Sequence, residues 1–142
     1  SEKNKEKFIL PHEEVVASEI SDKAATLHVP IEDVMEDMKI LDIGKWTAEK
    51  FCNIIAKSKT VIWNGPLGLC ENIPFQSGTK DVAEYLASYD CNKIIGGGDT
   101  VDALKKLKIS LDKFTHVSTG GGACIEFLSG EKLPGIEVLL KP

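Results

Sequence analysis

Along the chain, short runs of β-branched and apolar residues alternate with longer stretches whose apolar positions recur every three to four residues. Gly, Pro, Asp or Thr marks each switch. The short runs predict strands over 8–10, 15–17, 26–29, 39–42, 60–63, 93–95 and 116–118. The longer stretches predict a helix over 47–58, striped by Ala48, Phe51, Ile54 and Ile55, and another over 77–88, striped by Val82, Tyr85, Leu86 and the following Tyr89. Thr47 and Ser77 are the expected N-caps, because a hydroxyl there can accept a free amide of the first turn. Shorter helices are expected to begin near Asp99 and near Gly121, the second running to Gly130. Alternation of this kind points to an α/β fold, a parallel sheet flanked by helices in a Rossmann-like three-layer arrangement. Only the first seven residues, SEKNKEK, read as unstructured.

Composition narrows the function classes. The chain has 142 residues, 42% hydrophobic and 27% charged, which suits one soluble globular unit or part of one. A net charge of −5 supplies no global field to draw nucleic acid or an anionic membrane, so an anion site has to be built locally. No apolar stretch approaches the roughly 20 residues that a spanning helix needs. A cytoplasmic protein without a nucleic-acid or membrane partner is therefore expected. Cys52, Cys70, Cys91 and Cys124 stand far apart with no CxxC pair and read as reduced thiols. His12, His28 and His116 are not spaced as zinc ligands.

The chemistry is concentrated in two glycine triplets, IIGGGDT at 94–100 and STGGGA at 118–123, each after a predicted strand and before a helical pattern. Backbone without Cβ atoms can approach a ligand closely, and the free amides at a helix start, aided by the dipole, attract phosphate. Either triplet alone reads equally as a tight turn; two together after strands favour a phosphate cradle. In a parallel sheet both would lie at the carboxyl edge of the strands, so Gly97 and Gly121 are expected on the same edge. Neither is GxxxxGK[ST] or GxGxxG. Asp99, expected at the N-cap of its helix, could cap it or hold Mg²⁺ bridging phosphates. A third segment, VIWNGPLGLCE at 61–71, leaves a strand into a Gly/Pro turn and presents Asn64 and Glu71. Those two could read a ribose hydroxyl or belong to an ordinary turn, and local logic leaves both open.

TVIWNGPLGLCE, SGTK, IIGGGDT, HVSTGGGACIEFLSGEKLPG and, more weakly, KILDIG together resemble phosphoglycerate kinases, in the same order and from about Phe8 to the chain end. The resemblance implies reversible phosphoryl transfer between 1,3-bisphosphoglycerate and ADP, giving 3-phosphoglycerate and ATP, with Mg²⁺, in glycolysis. It implies that residues 1–142 correspond to the C-terminal portion of the nucleotide-binding domain, without the glycerate-binding N-terminal domain or the first part of the nucleotide domain. Residue by residue, it places Asn64 and Glu71 near the phosphates and ribose, and Gly97, Gly98, Asp99 and Thr100 in the nucleotide-phosphate and magnesium loop. Gly120, Gly121 and Gly122 fall in the loop whose amides stabilise the phosphoryl group in flight. Ile40, Leu41 and Leu69 fall where the family lines the adenine slot.

Several positions depart from the family pattern. Cys124 stands where Ser is usual, Cys70 where Phe is usual, Ile40 where Gly is usual and Lys45 where Pro is usual. Cys124 with His116 eight residues upstream would also suit a Cys–His hydrolase, but nothing supplies a third member or an acyl pocket, and a small residue in place of serine is the simpler reading. On the resemblance the chain looks like a truncated polypeptide, a proteolytic remnant or one part of a split enzyme. Such a piece is expected to be inactive alone while keeping weak affinity for nucleotide phosphates, and to self-associate or be only marginally stable, where the resemblance implies a monomeric parent. The alternatives are a non-catalytic nucleotide- or polyanion-binding module and a purely structural remnant.

Overall fold

The strand β1 (Glu13–Ala17) is buried along its whole length, two glutamates included, and organises the first of two units. The computed structural model describes residues 6–140; the first unit comprises Ser1–Ile54 and Leu67–Val82, the second Ile55–Pro66 and Ala83–Pro142. Of the start expected to be unstructured, residues 1–5 lie outside the described residues, and Glu6 and Lys7 form a short helical turn. The strand expected over 8–10 is absent: that stretch is irregular, with Phe8 and Leu10 exposed.

In the first unit β1 lies between β2 (Leu27–Pro30) and β3 (Lys39–Ile43), in the order β2-β1-β3. Both pairings are antiparallel, with a register shift between Val15 and Val16 against β3. β2 and β3 therefore run parallel to one another on either side of β1, and the link between them contains only a short 3-10 turn, Ile31–Asp33, and no α-helix. The expected parallel sheet lies in the second unit, and this first sheet is an antiparallel addition to that expectation. Val15, Ala17, Ala24 and Phe75 form the buried cluster, and Leu41 and Leu69 pack against it.

Two buried carboxylates take the capping roles expected of hydroxyls. The helix α1 (Lys45–Ile55) starts before Thr47, so Thr47 is not its cap. Its buried hydroxyl instead donates to the Glu13 carbonyl at 2.8 Å and accepts from the Glu13 amide at 2.9 Å. The Glu13 carboxylate accepts the Trp46 amide at 2.7 Å, satisfying a first-turn donor. Likewise Ser77 is the first residue of α2 (Ser77–Ser88), and Asp42 of β3 caps that helix: its Oδ2 accepts the Gly78 amide at 2.8 Å and the Ser77 hydroxyl at 3.2 Å. The sequence offers Ser and Thr close to each start, but the acceptors come from another element.

Burial pushes the Asp42 carboxyl above its usual range, opposed by the Gly78 and Ile43 amides and the Ser77 hydroxyl and reinforced by the charge of Asp81. Burial, then the charge of Asp42, raises Glu14 as well. A raised carboxyl retains in the folded chain a proton that the unfolded chain releases, so stability declines as pH climbs from the ordinary carboxylate range through the raised value. Glu14→Gln is accordingly expected to stabilise the chain at pH 7, with the gain shrinking as pH falls into the carboxylate range. Urea midpoints at pH 7 and pH 4.5 check this; a gain that grows on acidification contradicts it.

The second unit carries the expected parallel sheet. The strands β4 (Thr60–Asn64), β5 (Asn92–Gly96) and β6 (His116–Ser118) pair in the order β4-β5-β6, all parallel. In chain order α2 falls between β4 and β5 and α3 (Gly98–Lys106) between β5 and β6, the helical crossovers that parallel pairing requires. Trp63, Leu86, Ile95, Val101 and Leu104 are buried, whereas Ile62, next to Trp63, is half exposed, as the period of two dictates. The helices α4 (Gly121–Leu128) and α5 (Pro134–Leu139) complete the unit and leave Ile125, Phe127, Val138 and Leu139 exposed.

Candidate phosphate-binding loops

Each strand of the second unit ends where the chain must turn into a helix or loop, and all three ends fall on one edge because the strands are parallel. The last pair of the β4–β5 ladder is Asn64 with Gly96, and the last of β5–β6 is Gly96 with Ser118. The Gly97 amide donates to the Ser118 carbonyl at 3.0 Å, which carries the β5–β6 pairing one residue further. Beyond these pairs the two glycine triplets meet. A Cβ on Gly121 would lie 3.2 Å from the Gly97 Cα, and a Cβ on Gly97 would lie 2.8 Å from Oδ1 of Asn64. Gly97 also has φ of +94°, a conformation that side chains rarely adopt. Sequence reasoning expected Gly97 and Gly121 on one edge, and they are in fact neighbours with the Asn64 amide between them.

The same edge presents two helix starts. In α3 the amides of Gly98, Asp99 and Thr100, and in α4 those of Gly121, Gly122 and Ala123, precede the first residue that has an intrahelical acceptor. Val101 and Cys124 are the first such donors, to Gly97 and Gly120 at 3.2 Å and 3.0 Å. Neither helix has a side-chain cap. The Gly120 amide donates to Oγ of Ser118 at 3.2 Å, so Gly121 and Gly122 offer the freer donors of that triplet.

Asp99 differs from expectation. The N-cap position belongs to Gly97, and Asp99 is the second helical residue, exposed and making no cap. Capping is thus removed as its explanation, leaving an acidic group in the first turn beside the amides. No group of three or more His, Cys, Asp or Glu able to hold a metal occurs among the described residues. A lone exposed carboxylate beside free first-turn amides still fits Mg²⁺, which keeps much of its water and binds through one or two carboxylates plus phosphates. Thr100 is wholly buried.

The remaining expected residues lie in the first unit. The Leu69 amide donates to the Leu41 carbonyl at 2.8 Å, bringing those two together, while Ile40 is half exposed on β3. The Leu67 and Gly68 amides donate to the buried Thr79 hydroxyl at 2.9 Å and 3.3 Å. Glu71 is exposed beyond this turn. Cys70 is buried, and burial pushes its thiol up despite a hydrogen bond with Thr79. No helix is long and apolar enough to cross a membrane among the described residues. Sequence reasoning missed Asp42 and Thr79, whose roles depend on partners more than ten residues away; the one local sign was Asp42 as a polar residue inside the apolar run KILDIG, and Thr79, in a polar stretch, had none.

Comparison with known proteins points to one family. A family model described as phosphoglycerate kinase matches residues 1–131. Phosphoglycerate kinase of Borrelia turicatae is 48% identical over 135 residues, covering 95% of this chain and 34% of the relative. That of Herpetosiphon aurantiacus is 45% identical over 133 residues, covering 94% and 34%. Among solved structures, phosphoglycerate kinase from Coxiella burnetii superposes with a TM-score of 0.87 at 38% identity, over 97% of this chain and 36% of the other. The Pyrococcus horikoshii enzyme gives 0.76 at 32%, over 91% and 31%. The chain thus spans about a third of the length of the relatives it matches.

Proposed function

This chain belongs to the phosphoglycerate kinase family, and from that premise we propose that its second unit is the phosphate cradle of an enzyme moving a phosphoryl group between 1,3-bisphosphoglycerate and ADP, to give 3-phosphoglycerate and ATP. The observation that carries the proposal is the meeting of Gly97, Gly121 and Asn64 at the head of two helices. In such a transfer the phosphoryl oxygens gain and lose charge while little covalent chemistry falls to the protein, so positioned donors do the work. The amides of Gly98 and Asp99 hold nucleotide phosphates, Gly97 allowing close approach because it has no side chain while its own amide is given to Ser118; those of Gly120, Gly121 and Gly122 stabilise the group in flight, with Gly120 the least free of the three. Asn64 donates from its amide nitrogen. Asp99 holds Mg²⁺, which when bound supplies positive charge that amides and helix dipoles cannot. In the first unit, Ile40, Leu41 and Leu69 offer apolar surface to the adenine, and Glu71 accepts from the ribose. Cytoplasmic residence belongs to the same proposal.

Calorimetric titration of the chain with Mg·ADP tests this. Binding is expected, and Asp99→Asn should weaken it about tenfold, the equivalent of roughly 1.4 kcal/mol. Metal-free tripolyphosphate should bind the variant no worse, since a negative charge has been removed. Stability should change by less than about 0.5 kcal/mol, as for other exposed substitutions outside caps. Equal affinity for ADP with Mg²⁺ and with a chelator would remove Asp99 from the metal role; no ADP binding at all would sink the function.

A further inference from the structure

The cradle depends on a side chain that has no surface of its own. Thr100 has 0% exposure. Its hydroxyl carries one hydrogen, which goes to the Gly96 carbonyl at 2.8 Å, and it accepts the Gly65 amide at 2.7 Å. The first bond is the ordinary contact of a helical threonine with the carbonyl four residues back. The second is not local: Gly65 lies 35 positions away, at the turn by which the chain leaves β4. Asn64 pairs with Gly96 in the ladder, and beyond that pair this hydroxyl is what ties the exit of β4 to the exit of β5. Asn64, directly before Gly65, has its Oδ1 within 3.2 Å of the Cβ positions of Gly96, Gly97 and Gly121.

We propose that Thr100 is a positioning residue: through the Gly65 amide it holds the Asn64 side chain against both glycine loops, and it makes no side-chain contact with the phosphates. The proposal rests on the phosphate-cradle reading and changes the part that the family resemblance gives to Thr100. With its one hydrogen given to the Gly96 carbonyl and no exposure, the hydroxyl could donate to a phosphate oxygen only by breaking that buried bond. A buried carbonyl left without its donor costs more than the contact would return in water-accessible surroundings.

The test uses inorganic tripolyphosphate with Mg²⁺ as probe, on the unmodified chain, Thr100→Val and Thr100→Ser. Valine keeps the volume and loses both bonds; serine keeps both bonds. Thr100→Val is expected to weaken binding about tenfold and to shift the Asn64 side-chain amide resonances, whereas Thr100→Ser should bind within about twofold of the unmodified chain and restore those resonances. Should Thr100→Val fail to fold, Gly65 amide hydrogen exchange in the unmodified chain decides alone: it should be slow, and equally slow with tripolyphosphate bound. Loss of that protection on binding would mean that the hydroxyl turns to the ligand, and would overturn the proposal. So would unchanged affinity in Thr100→Val, weak binding in Thr100→Ser, or a fall in affinity with the Asn64 resonances unmoved. An unmodified chain that binds no tripolyphosphate overturns the cradle reading and this one with it, whereas the other failures leave the cradle standing.

Discussion

Gly97→Ala should lose polyphosphate binding by tenfold or more and destabilise the second unit by about 1–3 kcal/mol, the range for a residue forced into a region that side chains avoid. The two effects have separate causes. Gly97 has φ of +94° and ψ of 135°, so any side chain there strains the backbone. The new methyl would also lie 2.8 Å from the Asn64 amide oxygen, closer than a Cβ tolerates, and the nearest relief is to push Asn64 out of the cradle or to swing the Gly98 and Asp99 amides away. Gly130→Ala is the matched control. Its φ is +85°, with nothing within 4 Å of a new Cβ. It should show the strain without the loss of affinity. Thermal melting beside tripolyphosphate titration of both variants separates the two, and equal affinity losses would show that strain alone, not the collision at Asn64, governs the cradle.

In the first unit the largest expected effect is at Asp42. Asp42→Ala removes the acceptor of three donors: the Ile43 amide at 2.9 Å, the Gly78 amide at 2.8 Å and the Ser77 hydroxyl at 3.2 Å. Losing a helix cap costs about 1 kcal/mol and leaving a buried amide unpaired about 1–3 kcal/mol. Against this stands relief from burying a charge, which is why the carboxyl titrates above its usual range even with three donors around it. A net loss of about 2–3 kcal/mol is expected, less than the sum of the bonds. The site is also closely fitted, since a Cβ on Gly68 or Gly78 would fall within 2.5 Å of Asp42 Oδ1, so no larger residue can rebuild the contact from those sides. Asp42→Asn retains the volume and one acceptor oxygen and should lose less. Urea unfolding of the two variants is the measurement; an Asp42→Ala midpoint within error of the unmodified chain would mean that water replaces the carboxylate at no cost.

What the sequence determined by itself is the part of the protein governed by local rules. Strand runs ending at Trp63, Ile95 and Ser118 and followed by glycine and a helical pattern specify a parallel sheet with its loops on one edge, and the second unit has that form. Hydrophobic period, glycine at strand ends and amphipathic stripes act within a few residues, so they can be read from the chain. The first unit was less legible for the same reason. Burial of Glu13 and Glu14 within β1 breaks the pattern that marks a strand's inner face, and antiparallel pairing follows from how the ends meet, not from what each run contains. The caps show the limit most clearly. Thr47, Ser77 and Asp99 stand near helix starts where local propensity expects caps, yet the donors at the first two are satisfied by Glu13 and Asp42, carboxylates 33 and 36 positions away, and α3 has no side-chain cap. In the candidate site, the glycine triplets were legible in the sequence, but the approach of the Asn64 amide to Gly97 and Gly121, and the burial of Thr100 that holds Gly65, were decided by three strands converging on one edge. A hydrogen bond between residues far apart in the chain has no local signature, because the energy that forms it is released only when packing has already brought the partners together.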